Sequence, residues 1–355
     1  MSRTRTEQDL SPIFPVEGML SIVIPVYNDE EVLEELHRRL IPVAEAVCHR
    51  YEVVFIDDAS VDGSWEVLTR LHQANPNLRL LKLGRNFGQD GAITAGLQAA
   101  RGDFIAIMDS DLQDPPEDIF KLFEAMLAQD ALMAIARWRT RKDSLFRRTG
   151  SRFLHALTNW ITNIRHPIGL GVFRVMRRQV LEALEQMPER TSTTLSQLYW
   201  LGSEYAVVEL DRDERHAGTS SYTLRKMVKL SFDRIFSYSI FPIQLSIVLG
   251  MLLTLASFAT AGYFVAQKLW FGDILPGWTS IIVATLFLFG MNFLFLGILG
   301  EYLGRVFLET KARPRYVVSR VVESPSPGNS PAREREMKPG AAEAPSSRAG
   351  AKEGP

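Results

Sequence analysis

The sequence predicts an α/β protein built on a mainly parallel sheet, followed by a two-helix transmembrane domain. Two patterns carry this. Between residues 19 and 136 short apolar runs alternate with helix-period segments, and further on two long segments hold no charged residue. Strand runs without polar alternation, separated by helices, indicate a parallel sheet covered on both faces. The uncharged segments, Ile235 to Gln267 and Ile274 to Gly300, each exceed the ~20 residues needed to cross a ~30 Å hydrocarbon core.

Composition sets the bounds. At 355 residues the chain is long enough for about two domains, and 23% charged with 46% hydrophobic residues is ordinary for a globular protein. A net charge of −1 leaves no excess of base to hold a polyanion, so nucleic-acid binding is not expected. The lone cysteine, Cys48, excludes an intrachain disulfide and a cysteine metal cluster, and fits a reducing compartment.

The strand runs are Leu20–Ile24, Val53–Ile56, Leu78–Leu83, Phe104–Met108 and Leu132–Ala136, with helices expected over Glu30–Val47, Ser64–Ala74, Asp90–Ala100 and Pro116–Ala128. In such sheets ligands bind beyond the carboxyl ends of the strands. Directly after the runs stand Pro25 to Glu30, Asp57 to Gly63, Gly84 to Gly88, and Asp109 to Pro116. Three of these four edges carry carboxylates, which crowd at a cost unless a cation joins them. A hard divalent cation with oxygen ligands is the natural partner. Each acid alone would serve equally as a helix cap, and Asp29 and Glu30 as first-turn acids. The four signatures in order at successive strand ends are what favour a site.

Residues 1–18 hold no apolar stretch, so no signal peptide is expected. Arg225, Lys226, Lys229 and Arg234 precede the first span, and Arg305, Lys311, Arg313 and Arg315 follow the second. The turn between them has only Lys268 and Asp273. Positive residues stay inside, which predicts both termini and the catalytic domain cytoplasmic, in a two-span inner-membrane protein. Residues 222–236 interleave apolar and basic side chains, as in an amphipathic helix on an anionic leaflet or a plain surface helix. From Val322 onward the tail holds six of the eighteen prolines and almost no bulky apolar residue, and is expected to be disordered. The predicted units are thus a flexible 1–18, a catalytic 19–221, a juxtamembrane 222–236, spans within 237–304, a cytoplasmic extension 305–321 and the tail 322–355.

Ser21 to Asn28, Asp57-Asp58-Ala59-Ser60-Val61-Asp62-Gly63 and Asp109-Ser110-Asp111-Leu112-Gln113-Asp114-Pro115-Pro116-Glu117 resemble the family-2 glycosyltransferases of GT-A (Rossmann-like) fold. The last string, with Arg215 to Tyr222, is similar to the polyprenyl-phosphate branch, which includes dolichol-phosphate mannose synthase and bacterial undecaprenyl-phosphate sugar transferases. The resemblance runs from about Leu20 to about Tyr316. It implies that Pro25, Tyr27, Asn28 and Glu30, with Asp57 and Asp58, hold the nucleotide of a nucleotide sugar, a UDP-sugar being favoured. It implies that Asp109, Asp111 and Gln113 hold Mg²⁺ or Mn²⁺ against the diphosphate, although Gln113 fits a plain loop amide too. Arg137, Arg147, Arg148 and Ser151, with Arg215, Ser220 and Tyr222, fall where the family binds the lipid phosphate; a solvated basic stretch is the alternative. Asp109, Asp111 and Arg137 are the expected catalytic residues.

One position departs from the pattern. The family has an acidic residue just before Phe-Arg, and here Val172 precedes Phe173-Arg174. A phosphate monoester, with its second pKa near 6, is already largely dianionic at neutral pH, so metal and positioning are expected to suffice. The resemblance therefore implies inverting sugar transfer to polyprenyl phosphate at the cytoplasmic face, for envelope glycan or lipid modification. A glycan or diacylglycerol acceptor, or a scaffold with a decayed site, are the alternatives. The motifs leave the sugar open among glucose, galactose, mannose and a modified aminoarabinose. Relatives form homotetramers, and Gly290, Gly297, Gly300 and Gly304 suit either helix–helix packing or relief of crowding within one hairpin.

Overall fold

The computed structural model describes residues 14–138, 157–162, 170–187, 189, 192–201, 204–211, 232, 235–271, 277–323 and 335–336. The five apolar runs form β1 (Val16–Val26), β2 (Cys48–Asp57), β3 (Leu78–Leu83), β4 (Phe104–Ile107) and β5 (Met133–Trp138). Between them lie α1 (Leu33–Val47), α2 (Ser64–Ala74), α3 (Gln89–Ala99) and α4 (Ile119–Ala128), the last entered through a 3-10 turn at Pro116–Asp118. α1 begins later than its apolar period predicts because the chain first closes a turn, Val32 N–H donating to Asp29 O at 3.0 Å.

Four more strands complete the sheet: β6 (Leu170–Arg177), β7 (Tyr205–Leu210), β8 (Val318–Val322) and β9 (Arg335–Glu336). Their order is β7-β5-β6-β4-β1-β2-β3-β8-β9. The centre is parallel, with Ile22 beside Val53, Val23 beside Ile107 and Phe55 beside Leu80. β6 runs antiparallel between β4 and β5, and β7 pairs parallel with β5.

Alternate residues of β1 enter opposite cores. Leu20, Ile22, Ile24 and Val26 pack with Leu36 and Leu40 of α1 and Phe123 of α4. Val23 packs with Ile93 of α3, Leu181 of α5 (Arg178–Glu185) and Leu198 of α6 (Thr194–Trp200). With both faces covered, neither set needs to be polar, which is why the run reads as continuously apolar. α3 lies close because Gly96 faces Val23 and Ile56, where a Cβ would collide with both side chains. At the end of the sheet remote from the rim loops, buried Glu52 accepts hydrogen bonds from Ser21 Oγ (2.6 Å), Arg101 N–H (2.7 Å) and Arg79 Nη1 (3.1 Å). Its charge is thereby compensated, as a buried carboxylate requires.

Two helices follow, α7 (Phe241–Phe271) of 31 residues and α8 (Trp278–Thr310) of 33 residues. At ~1.5 Å per residue each is ~45–50 Å long, more than a bilayer core. Their apolar windows are not buried inside the protein. The base of α8 is tied to the approach to α7: Tyr302 Oη donates to Ser239 O at 2.6 Å, and Arg305 Nη1 to Ser237 Oγ at 2.8 Å.

The C-terminal expectations need correction. The second apolar helix continues past residue 304 to Thr310. The segment after it is part of the sheet rather than an extension: β8 pairs antiparallel with β3, Leu81 opposite Val321. An open edge on β3 is a template for pairing, and the valines of 317–322 suit a strand that covers it. The tail is not without order from Val322, since Val322 pairs with Leu80 and Arg335–Glu336 pair with Val321 and Arg320. Of the expected juxtamembrane helix, only residues 232, 235 and 236 are among those described.

Candidate active site

Parallel register brings the carboxyl ends of β1 to β4 side by side, so loops 27–32, 58–63, 84–88 and 109–115 form one rim. Three of these loops hold a non-glycine residue in left-handed backbone: Asn28 (φ 56°), Ala59 (φ 57°) and Leu112 (φ 57°). Such conformations cost about 1–3 kcal/mol each and persist where the surroundings over-determine them. Asn tolerates this region, whereas Ala and Leu bring no polar side chain to offset it. Strain gathered on a single rim marks that rim as the functional edge.

The first two loops are buttoned together. Asn28 Oδ1 accepts from Val61 N–H at 2.9 Å, and Asn28 N–H donates to Ser60 Oγ at 3.0 Å. Glu30 Oε2 accepts from Gly63 N–H at 2.9 Å. The approach is so close that a Cβ at Gly63 would strike the Glu30 carboxylate. Asp57 is fully buried; its Oδ1 accepts from Ser60 N–H at 3.0 Å, and Lys82 Nζ stands 3.4 Å from its Oδ2. Asp58 reaches the next loop, taking Phe87 N–H at 2.7 Å and Gly88 N–H at 2.8 Å. Burial pushes its carboxyl above the ordinary value, and the two amides oppose that.

The fourth loop carries the acids. Asp109 Oδ1 accepts from Gln89 Nε2 at 2.6 Å, and Asp111 Oδ1 from Gln113 N–H at 3.2 Å. Ser110, between them, donates its hydroxyl to Asp29 Oδ2 at 2.5 Å. The Asp29 carboxyl is raised above its usual range, chiefly by burial and further by the charges of Asp111 and Asp62. Among the described residues no group of three or more His, Cys, Asp or Glu is assembled as a metal cage. Asp109 and Asp111 on one turn fit a different chemistry. A hard cation held by one or two carboxylates takes its remaining ligands from water and substrate phosphates.

The other expected site residues are placed as follows. Pro25 lies within β1 beside Ile56, and Tyr27 is 47% exposed on the rim. Gln113 is buried, 3% exposed. Arg137 stands near the end of β5, separated from β4 by β6, and its buried Nε has no hydrogen-bond partner among the described residues. Arg147, Arg148, Ser151, Arg215, Ser220 and Tyr222 lie outside the described residues. The register that sets Ile107 beside Arg174 carries Val172 toward the Asp109 end of β4. Arg174, fully buried, donates to Val172 O at 2.9 Å and Gly171 O at 2.8 Å, with its guanidinium 5.5 Å from the Tyr199 ring centre. The pattern missed two partners of the acidic turn, Gln89 and Asp29. Gln89 sits immediately after Gly88 of the third rim loop, which was the available signal.

The profile described as Glycosyl transferase family 2 matches residues 21–185. The uncharacterized glycosyltransferase YkcC of Bacillus subtilis (strain 168) is 36% identical over 300 residues, 84% of this chain and 93% of its own. The prophage bactoprenol glucosyl transferase homolog of Escherichia coli (strain K12) is 34% identical over 302 residues, 85% of this chain and 99% of its own. The undecaprenyl-phosphate 4-deoxy-4-formamido-L-arabinose transferase of Sodalis glossinidius (strain morsitans) is 34% identical over 309 residues, 85% of this chain and 94% of its own.

Proposed function

This chain belongs to glycosyl transferase family 2, and from that premise we propose that it moves one sugar from a nucleotide sugar to a polyprenyl phosphate at the cytoplasmic face of the membrane. The observation that carries the acceptor is the union of an acidic rim with two unburied apolar helices in one chain, joined when the segment after α8 re-enters the sheet as β8. Relatives named for bactoprenol and undecaprenyl phosphate match across more than four-fifths of the chain, which supports the same acceptor.

In this reading the loops at Tyr27–Glu30 and Asp57–Gly63 receive the nucleoside, and Tyr27 offers it an exposed ring. Asp109 and Asp111 would hold Mg²⁺ or Mn²⁺. Bound there, the cation would neutralise charge on the departing diphosphate. Strained loops keep these groups in place before the donor arrives, so little reorganisation is left for the reaction itself. Arg137, whose buried Nε has no hydrogen-bond partner among the described residues, is suited to the acceptor phosphate, which guanidinium matches in a bidentate way. A phosphate oxygen attacks C1 of the sugar, the C1–O bond to the diphosphate breaks, and the nucleoside diphosphate leaves with the electron pair. One in-line attack inverts C1. The acceptor is already dianionic near neutrality, so Val172 in place of an acid costs little.

Transfer tests this. Full-length protein in detergent is incubated with undecaprenyl phosphate, Mn²⁺ or Mg²⁺ and radiolabelled UDP-glucose, UDP-galactose, GDP-mannose or a UDP-linked modified aminoarabinose. Label entering the lipid phase from one donor, and lost with chelator, supports the proposal and names the sugar. Metal-dependent nucleotide binding without labelled lipid from any donor overturns the acceptor assignment.

A further inference from the structure

The segment that returns from α8 does more than cover an edge. Gly84 N–H donates to Val317 O at 2.8 Å, and Ser319 Oγ to Lys82 O at 3.0 Å, which seats the segment on the loop after β3. Just before these contacts Arg315 turns into the protein. Its Nη1 donates to Thr194 Oγ1 at 3.1 Å and Gln197 Oε1 at 3.3 Å, and its Nη2 to Ser192 O at 2.7 Å and to Glu189 O. One guanidinium thus gathers four acceptors from the start of α6 and the connection before it, a geometry that the compact ammonium of lysine does not reproduce.

Thr194 passes the linkage on. Its N–H donates to Asp90 Oδ1 at 2.7 Å, and its hydroxyl shares a 2.7 Å hydrogen bond with Thr94 of the same helix, α3. Asp90 also feels the positive charge of Arg315. The neighbour of Asp90 is Gln89, whose amide donates to Asp109 at 2.6 Å. A continuous run of hydrogen bonds and one peptide unit therefore joins Arg315, a few residues beyond the second apolar helix, to the first carboxylate of the acidic turn.

We propose that Arg315 is a positioning residue of the active site: by locking α6 onto the first turn of α3 it holds Gln89 against Asp109, so the affinity of the rim for a divalent cation and a nucleoside diphosphate depends on how the segment after the second apolar helix is seated. The inference rests on the function proposed above. Its physical content is that a chain of directional bonds transmits position only while each link is held. Residues sharing such a network lose additivity when substituted together.

The experiment uses the full-length protein in detergent with Arg315→Met, Arg315→Lys, Gln89→Ala and the Arg315→Met/Gln89→Ala pair. Three quantities are read: UDP binding with Mn²⁺ by calorimetry, the thermal midpoint, and amide hydrogen exchange over residues 86–92. Arg315→Met is expected to weaken UDP binding about tenfold, within the range of coupling through such networks, and to speed exchange over 86–92. Lysine restores part of the affinity, and the double variant binds no more weakly than the worse single one. A lowered midpoint with unchanged UDP affinity and exchange overturns the proposal, as do effects of the two substitutions that simply add. If the unaltered protein binds no UDP with Mn²⁺, the donor-site reading fails instead. Exchange over 86–92 then decides the linkage by itself, acceleration supporting it and no change refuting it.

Discussion

Ser110 Oγ lies 2.5 Å from Asp29 Oδ2, so the acidic turn after β4 is fastened to the loop after β1. Asp29 in turn receives Tyr27 N–H at 3.2 Å, and its own N–H donates to Ser64 Oγ at 3.0 Å. The serine between the two aspartates is thereby the joint that fixes the acidic turn relative to the loop after β1. Because Asp29 is half-buried and faces the charge of Asp111, the joint gathers negative charge that a bound cation would relieve.

Asp111→Asn is accordingly expected to lower transfer by about 100-fold or more, the scale set by losing a preorganised electrostatic group. The same change removes a charge facing Asp29, so the thermal midpoint without metal stays level or rises. Rates and melting curves with and without Mn²⁺ check both parts. Full activity in the variant would dismiss Asp111 as a ligand.

Val172→Asp tests whether a base is missing. With a dianionic acceptor the added carboxylate brings no gain on the ~10²-fold scale that a positioned base supplies. Turnover measured against pH would reveal one, and a gain of that size would mean that the unsubstituted enzyme is handicapped at this position.

Gly63→Ala places a methyl group against the Glu30 carboxylate. Glu30 is exposed and its carboxylate can swing aside, so the cost is chiefly the weakened hydrogen bond from Gly63 N–H, about 0.5–1.5 kcal/mol. Thermal unfolding of the detergent-solubilised chain is expected to shift down accordingly, and Glu30→Ala to cost less in this chain than in the unaltered one. Equal costs would mean that the clash lies elsewhere.

Asp58 predicts a pH dependence. Its folded carboxyl is raised above the ordinary 3.8 by burial, so the native state binds the proton more tightly than the unfolded chain. The stabilisation is complete below 3.8 and is lost as pH rises through the raised folded value. Asp58→Asn carries no such titration and keeps one acceptor for Phe87 or Gly88. The thermal midpoint across that window should therefore fall less steeply with pH in the variant. An unchanged slope would remove Asp58 from the account.

Cys48 is buried, and its thiol is pushed up to about 11, mainly by burial and then by Asp103. The thiolate is the reactive form. A thiol reagent at neutral pH should label the native protein slowly and the unfolded chain at once, and rapid native labelling would show that β2 opens locally.

The local chemistry of β1 to β5 and of α1 to α4 was legible in the sequence, because short apolar-rich runs and helix-period segments each have a favoured way to bury their apolar atoms. The rim was legible for the same reason: parallel strands must end together, so Tyr27, Asp57 and Asp109 could be placed on one edge without coordinates. Arg315, Gln89 and Val318–Val322 were not. Each acts on a residue remote in the chain or across the sheet, and no local preference records that pairing. The sequence by itself determined the strand order's parallel centre, the acidic edge and the two long apolar helices, since these follow from periodicity and residue chemistry. Only the tertiary structure decided that the chain leaving the second apolar helix completes the sheet beside β3 and fastens α6 to α3, because hydrogen bonds between distant segments exist only once the intervening chain has folded.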